Sequence, residues 1–377
     1  MSNDQPILTK HPIPLSIITG FLGSGKTTLL NQLLSDPDLI NTAIIINEFG
    51  DVGIDHLLVE TADEGIIELS DGCLCCTVRG DLVDTLLRLL KRQDEDPNTQ
   101  INRIIVETTG LADPAPILHT IMAHPMLVDR IRLDGVITLV DAVNAENTLD
   151  AHEEAVKQVA MADRIIVSKR DLQLDNSATA ELIKRIGRLN PAAPIIDANP
   201  IPADNTSLPA RIFNCGLYDP ATKSVDVERW LREEAIKPAS HHHHHDVNRH
   251  DASIRAFTLT HDKPIEATAI QAFLDLLRSA HGPNLLRLKG IIQTAENPSQ
   301  PVVIHAVQHL FHPPATLEQW PDDDHRTRMV IITKNLSQDF VERLFNAFIG
   351  KAATDTPDRE ALEHNPLAIP GYSTKTR

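Results

Sequence analysis

From residue 14 onward, short apolar runs alternate with longer segments in which apolar residues return every three or four positions. The first pattern predicts strands covered on both faces, and the second predicts amphipathic helices. Strands are predicted at 14–19, 43–47, 103–107, 135–141, 164–168 and 194–197, and helices from Thr28, at 82–92 and at 178–189. This alternation, continuing to about residue 213, predicts an α/β fold: a mostly parallel sheet with flanking helices. Further strands are predicted at 254–260, 285–293, 302–309 and 328–333, with helices at 265–279 and 338–348. That order, strand, helix, three strands, helix, predicts a small α+β domain.

Between the two sets both periods disappear. Lys237-Pro238-Ala239-Ser240 leads into His241, His242, His243, His244 and His245, a composition that reads as a linker with metal-collecting imidazoles. The last residues, 351–377, are polar without a sustained period and read as a flexible tail. The expected organisation is a first domain at 1–215, a His-rich linker at 216–252, a second domain at 253–350 and the tail.

The 377 residues suffice for two buried cores. A net charge of −17 argues against nucleic acid or an anionic membrane as the main partner. No apolar run reaches the ~18 residues of a membrane helix, and the start lacks a basic-then-apolar leader, so a cytoplasmic protein is expected.

Gly20-Phe21-Leu22-Gly23-Ser24-Gly25-Lys26-Thr27 fits the phosphate-loop spacing G-x-x-x-x-G-K-[ST] between a predicted strand and a predicted helix. Gly20, Gly23 and Gly25 allow backbone N–H groups to converge on phosphate oxygens, with Ser24 and Thr28 in the same cradle. Lys26 supplies a point charge for the outer phosphates, and the Thr27 hydroxyl is a candidate Mg²⁺ ligand. Ser168-Lys169-Arg170-Asp171 follows a strand where a base-binding loop would lie. Asp171 could accept from both N–H groups of guanine, with the Lys169 stem against the base, which favours GTP over ATP. Glu107 ends a strand at the same sheet edge and is a candidate for the Mg²⁺ shell or for positioning the attacking water. Asp141 ends another, where a loop carboxylate and a functional one weigh equally.

Three of the four cysteines lie in Cys73-Leu74-Cys75-Cys76, and Cys215 is remote. This is no disulfide framework. On an extended segment Cys73 and Cys75 alternate to one side and Cys76 turns at its end, so three thiolates can hold Zn²⁺ or Co²⁺. The fourth position is left to water, a partner, or a carboxylate such as Glu48 or Asp51. Arg79 and Asp81 are read as a solvent-facing cation and a helix cap. His305, His309 and His312 are read as structural, and Asp322-Asp323-Asp324-His325 as a solvated turn.

In this order, Gly20 to Thr27, Asn47-Glu48-Phe49-Gly50, Cys73 to Cys76, Glu107 to Gly110, Ser168 to Asp171, the His-rich linker and Arg287-Leu288-Lys289-Gly290 resemble the CobW-like family of GTPases. The resemblance implies a P-loop GTPase domain with a small C-terminal domain and slow GTP hydrolysis. It further implies a metallochaperone or metal insertase serving a client protein; a homo-oligomer stays open. Ser168, where Asn or Thr is commoner, and Asp51, where Glu is frequent, depart from that pattern. The rival readings are a nucleotide-binding metal buffer without transfer and a P-loop small-molecule kinase.

Overall fold

The computed structural model describes residues 12–47, 66–68, 74–77, 82–96, 99–173, 176–198, 206–215, 253–312 and 314–350. The apolar runs of the first half form one eight-stranded sheet. Its strands are β1 (Ile13–Gly20), β2 (Thr42–Asn47), β3 (Ile66–Glu68), β4 (Leu74–Thr77), β5 (Arg103–Thr108), β6 (Ile131–Asp141), β7 (Arg164–Ser168) and β8 (Ile195–Asp197). They lie in the order β3-β4-β2-β5-β1-β6-β7-β8, and every pairing is parallel except β3 with β4. Leu15, Ile17 and Ile18 of β1 are wholly buried, as expected of a central strand with helices on both faces.

The helices are α1 (Lys26–Leu34), α2 (Leu82–Glu95), α3 (Pro114–Ala123), α4 (Pro125–Val128), α5 (Ala145–Ala151), α6 (Glu153–Met161), α7 (Asn176–Leu189) and α8 (Leu208–Ile212). In α2 the buried Leu82, Val83, Leu86, Leu89 and Leu90 recur at the helical spacing that marked it in the sequence. The helix α3 was missed. Its start is nonetheless written locally: the Asp113 carboxylate accepts from the Ala115 N–H, and Pro114 occupies the first turn.

The second half forms an antiparallel sheet from β9 (Ile254–His261), β10 (Leu285–Ile292), β11 (Val302–Val307), β12 (Leu310–Phe311), β13 (Ala315–Thr316) and β14 (Thr327–Lys334), with helices α9 (Ala267–His281) and α10 (Gln338–Phe348). The strand predicted at 302–309 stops at Val307, because Gln308 takes a left-handed φ of 52° and the chain returns as β12. The architecture is thus a P-loop NTPase fold joined to a separate antiparallel-sheet domain. The turn expected to be merely solvated is braced by ion pairs: Asp322 and Asp324 hold Arg328.

One face of the second sheet packs Phe257, Leu259, Leu288 and Ile331 against Phe273, Leu277 and Phe345 of its own helices. From the other, Ile254, Leu286, Val307 and Ile332 join the core of the first domain, with Val156 and Val159 of α6. Fully burying a side chain of this size is worth ~1.5–3 kcal/mol, so docking is driven by the sheet itself and not by the linker alone. Strand β10 is buried along its whole length, and its two cations need a partner. Asp163, between α6 and β7, supplies it. Its carboxylate pairs with Arg287 and, at 3.0 Å, with Lys289, and accepts from the Val136 N–H at 2.9 Å. Burial pushes the Asp163 carboxyl up, but the two cations hold it below the usual range.

His305 contacts Arg287 and stands 5.2 Å from His312, ring centre to ring centre. Burial, then the Arg287 charge, pushes His305 well below the ordinary imidazole value and His312 down to about 4. The sign follows. Below the unfolded value of about 6.5 the unfolded chain binds more protons than the folded one, so stability falls with pH towards the folded value. Each imidazole removes up to about 1.4 kcal/mol per pH unit over that interval. Urea unfolding at pH 7.5, 6 and 5 is expected to show the midpoint dropping, with the drop reduced in His312→Gln.

Candidate nucleotide and metal site

All the strands next to β1 end at the same edge. Register aligns Ile18 with Glu107 and Gly20 with Leu139, and sets Asp141 beside Ser168. This crevice outside the carboxyl ends of parallel strands is where such sheets bind ligands. The loop between Gly20 and Lys26 crosses it and opens α1 with Gly25 in a left-handed conformation, φ 93°. Two glycines here are required by space. A Cβ at Gly20, whose φ is 145°, would lie 2.5 Å from the Leu139 carbonyl oxygen. One at Gly110 would lie 2.6 Å from the Leu22 backbone nitrogen, so the turn after β5 sits directly against the phosphate loop.

Lys26 is buried and donates from Nζ to the carbonyls of Gly20 at 3.0 Å and Phe21 at 3.4 Å. The charge is therefore held over the loop by the loop itself. Thr27 Oγ1 is 3.4 Å from Glu107 Oε1, and Glu107 is 2% exposed. A hydroxyl and a carboxylate side by side are the hard oxygen donors that suit Mg²⁺. The Ser168 hydroxyl donates to the Ser24 carbonyl at 2.7 Å, which ties the end of β7 to the phosphate loop and gives this serine a definite task.

Lys169 has a left-handed φ of 57° and an ion pair with Asp141 at 2.9 Å. Asp141 also accepts from the Val143 N–H and from Asn144, so the loop-carboxylate reading describes it. Burial pushes its carboxyl up, and the bonds from Asn144 and Lys169 more than offset this. Asp171 is exposed beside it in a short 3₁₀ turn. Asp197, at the end of β8, pairs its carboxylate with Arg170. Gly23, Thr27 and Thr28 face solvent.

Of the cysteine segment, β4 carries Cys75 and Cys76 beside Ile44 and Ile45 of β2, and the strand continues to Thr77, beyond the turn expected at Cys76. Since β2 also pairs with β5, Cys76 lies two strand spacings, roughly 10 Å, from the Glu107 strand. Glu48, Asp51, Cys73, Arg79, Asp81 and His241 to His245 lie outside the described residues. Cys215, among the described residues, is buried at the opposite end of the sheet, and burial pushes its thiol far above the ordinary value.

Sequence reasoning did not find α6. His152, just before it, stacks on Phe21 of the phosphate loop at 4.4 Å, and Gln158 donates to the carbonyls of Gly110 at 3.2 Å and Ala112 at 2.9 Å. A cavity of about 180 Å³ lies between this helix and the loop, lined by Phe21, Leu22, Ser24, Asn144 and Gln158 among others.

Residues 14–197 match the family model described as the CobW/HypB/UreG nucleotide-binding domain, and 254–349 match the cobalamin synthesis protein cobW C-terminal domain. The chain belongs to the CobW/HypB/UreG family. A family relative named zinc chaperone YjiA, from Escherichia coli K12, is 32% identical over 89% of this chain and 98% of its own. Zinc chaperone CobW of Pseudomonas aeruginosa is 30% identical over 88% of this chain and 90% of that protein. The crystal structure of Zn(II)-bound YjiA GTPase from E. coli superposes with a TM-score of 0.68 at 30% identity, covering 90% of this chain and 99% of that one. No helix among the described residues of this CobW/HypB/UreG family member is long and apolar enough to cross a membrane.

Proposed function

We propose that this protein is a GTP-hydrolysing zinc chaperone whose Cys73-Leu74-Cys75-Cys76 segment binds the metal under control of the nucleotide and hands it to a client protein. The observation that carries the reading is placement: a single strand, β2, separates the cysteine-bearing β4 from the β5 strand of Glu107, in the sheet whose edge carries the phosphate loop. The names of the relatives support zinc as the cargo. Cobalt is the other metal the thiolate set would accept.

In this reading Gly20, Gly23, Ser24, Gly25 and Thr28 shape the phosphate cradle, and Lys26 stabilises charge on the outer phosphates. Thr27 and Glu107 would hold Mg²⁺, which when bound neutralises phosphate charge. Glu107 would also orient the attacking water. Lys169, fixed by Asp141, lines the base with its stem, and Asp171 accepts from guanine. His241 to His245 and Glu48 serve metal capture and completion of the metal site.

Asp171→Ala is expected to lower GTP affinity by roughly 2–4 kcal/mol, about 30- to 1,000-fold, and to leave ATP affinity unchanged. Competition binding against a fluorescent nucleotide measures both. Equal losses for the two nucleotides would remove Asp171 from base recognition.

The decisive test is a Co²⁺ titration of the reduced protein, followed by thiolate-to-cobalt charge-transfer absorption, with Mg²⁺ and either a non-hydrolysable GTP analogue or GDP. Control requires differential affinity between the two states. Much tighter thiolate binding with the GTP analogue is expected. Affinity that ignores the nucleotide, or survives replacement of all three clustered cysteines by serine, would sink the proposal.

A further inference from the structure

Two imidazoles from different domains meet on the surface. His119 lies on α3 and His309 in the turn between β11 and β12; both are exposed, and their ring centres are 4.5 Å apart with the planes tilted by 60°. We infer that this pair is a second metal site, a two-imidazole clip for zinc or another borderline divalent cation that bridges the two domains.

The separation of the ring centres is close to that of two imidazoles on one ion. A metal–nitrogen bond of about 2.1 Å puts a ring centre about 3.2 Å from the metal, so two rings on one tetrahedral ion stand roughly 5 Å apart. A change of under an ångström in that separation, with rotation of the two exposed rings to turn one nitrogen of each toward the ion, converts the contact into a chelate. Each imidazole offers one bare nitrogen when neutral.

Both supports are rigid. The Asp113 carboxylate and Pro114 fix the start of α3. The turn carrying His309 follows the left-handed Gln308 and rests on Gly282, where a Cβ would come within 3.0 Å of the His309 Cβ. With both backbones set, binding has only the two side chains to order. Among the described residues no third His, Cys, Asp or Glu joins the group, so water or an incoming ligand completes the shell. Such a site exchanges its ion readily. Its occupancy would strengthen domain docking, because binding to the docked form alone stabilises it.

The clip does not rest on the chaperone reading, and the test keeps the two apart. The full-length chain is prepared with Cys73, Cys75 and Cys76 and the five linker histidines replaced by serine, stripped of metal and titrated calorimetrically with Zn²⁺. One ion of micromolar affinity is expected, weakened at least tenfold by His119→Ala and equally by His309→Ala. Zn²⁺ should raise the melting temperature of the parent and of neither variant, and the melting temperatures without metal should agree, showing that all three are folded. Anomalous diffraction at the zinc edge should place a peak between the two rings. Zinc binding that is indifferent to both substitutions, or a zinc-soaked crystal with no peak there, would overturn the site.

Discussion

Lys26→Ala is expected to weaken GTP binding by about 30- to 5,000-fold while leaving the protein folded. Nζ is held by the loop carbonyls of Gly20 and Phe21, so the ammonium is already placed over the cradle before any phosphate arrives. Truncating one partner of a desolvated, charge-assisted contact costs about 2–5 kcal/mol, or about 30- to 5,000-fold in affinity. The space vacated by the side chain admits water to those carbonyls, so the folded state is expected to lose little. Lys26→Arg is expected to fail as well, since a planar guanidinium does not fit a space occupied by one compact charge. Calorimetric titration with a GTP analogue and Mg²⁺ reads the loss, and thermal melting reads the fold. In the same variant, nucleotide is expected to lose its influence on Co²⁺ affinity while Co²⁺ binding itself persists. A variant that binds GTP within threefold of the parent would show that the loop is not the phosphate site.

What could be read from the sequence and what could not divide along a physical line. The phosphate loop is legible because its glycines answer local demands: a φ of 145° at Gly20 and 93° at Gly25 belong to the loop alone. Strands β1, β5 and β7 are legible because unbroken apolar runs have few other uses in an α/β chain. Helices α5 and α6 gave no such signal. They are seven and nine residues long, separated at His152 by an extended residue, and α6 is covered from two sides, so Ala155, Val156, Gln158, Val159 and Ala160 are all buried and no polar stripe marks a period. Asp163 was invisible for another reason. An aspartate at a helix–strand junction looks like surface, and only the docking of a strand more than 120 residues later makes it the centre of a buried ion network. Arg287 and Lys289 entered only through their place in a family pattern; the structure supplies what they bind.

That network carries the largest stability effect expected anywhere in the described molecule. Asp163→Ala is expected to destabilise the protein by about 3–5 kcal/mol, because it leaves two cations buried against each other with their carboxylate gone. Arg287 is 1% exposed and Lys289 7%, so neither can recover its hydration without the second domain lifting away. Urea unfolding should therefore show a lower midpoint and an early phase in which the C-terminal sheet separates while the first domain persists. Replacing Asp163, Arg287 and Lys289 together by Leu, Met and Met is expected to be better tolerated than the single change, since the cost lies in the unpaired charge and not in the loss of an attraction. The effect should also reach the crevice. Met161 accepts from Arg287 at one end of α6, and the same helix braces the Gly110 turn through Gln158 and precedes the nucleotide-bearing edge through His152. Loosening the docked domain is thus expected to weaken GTP affinity severalfold in Asp163→Ala without touching a nucleotide contact. Unchanged stability in that variant would mean that the buried cations find another partner, and an early phase with unchanged GTP affinity would mean that α6 does not transmit the docking of one domain to the site of the other.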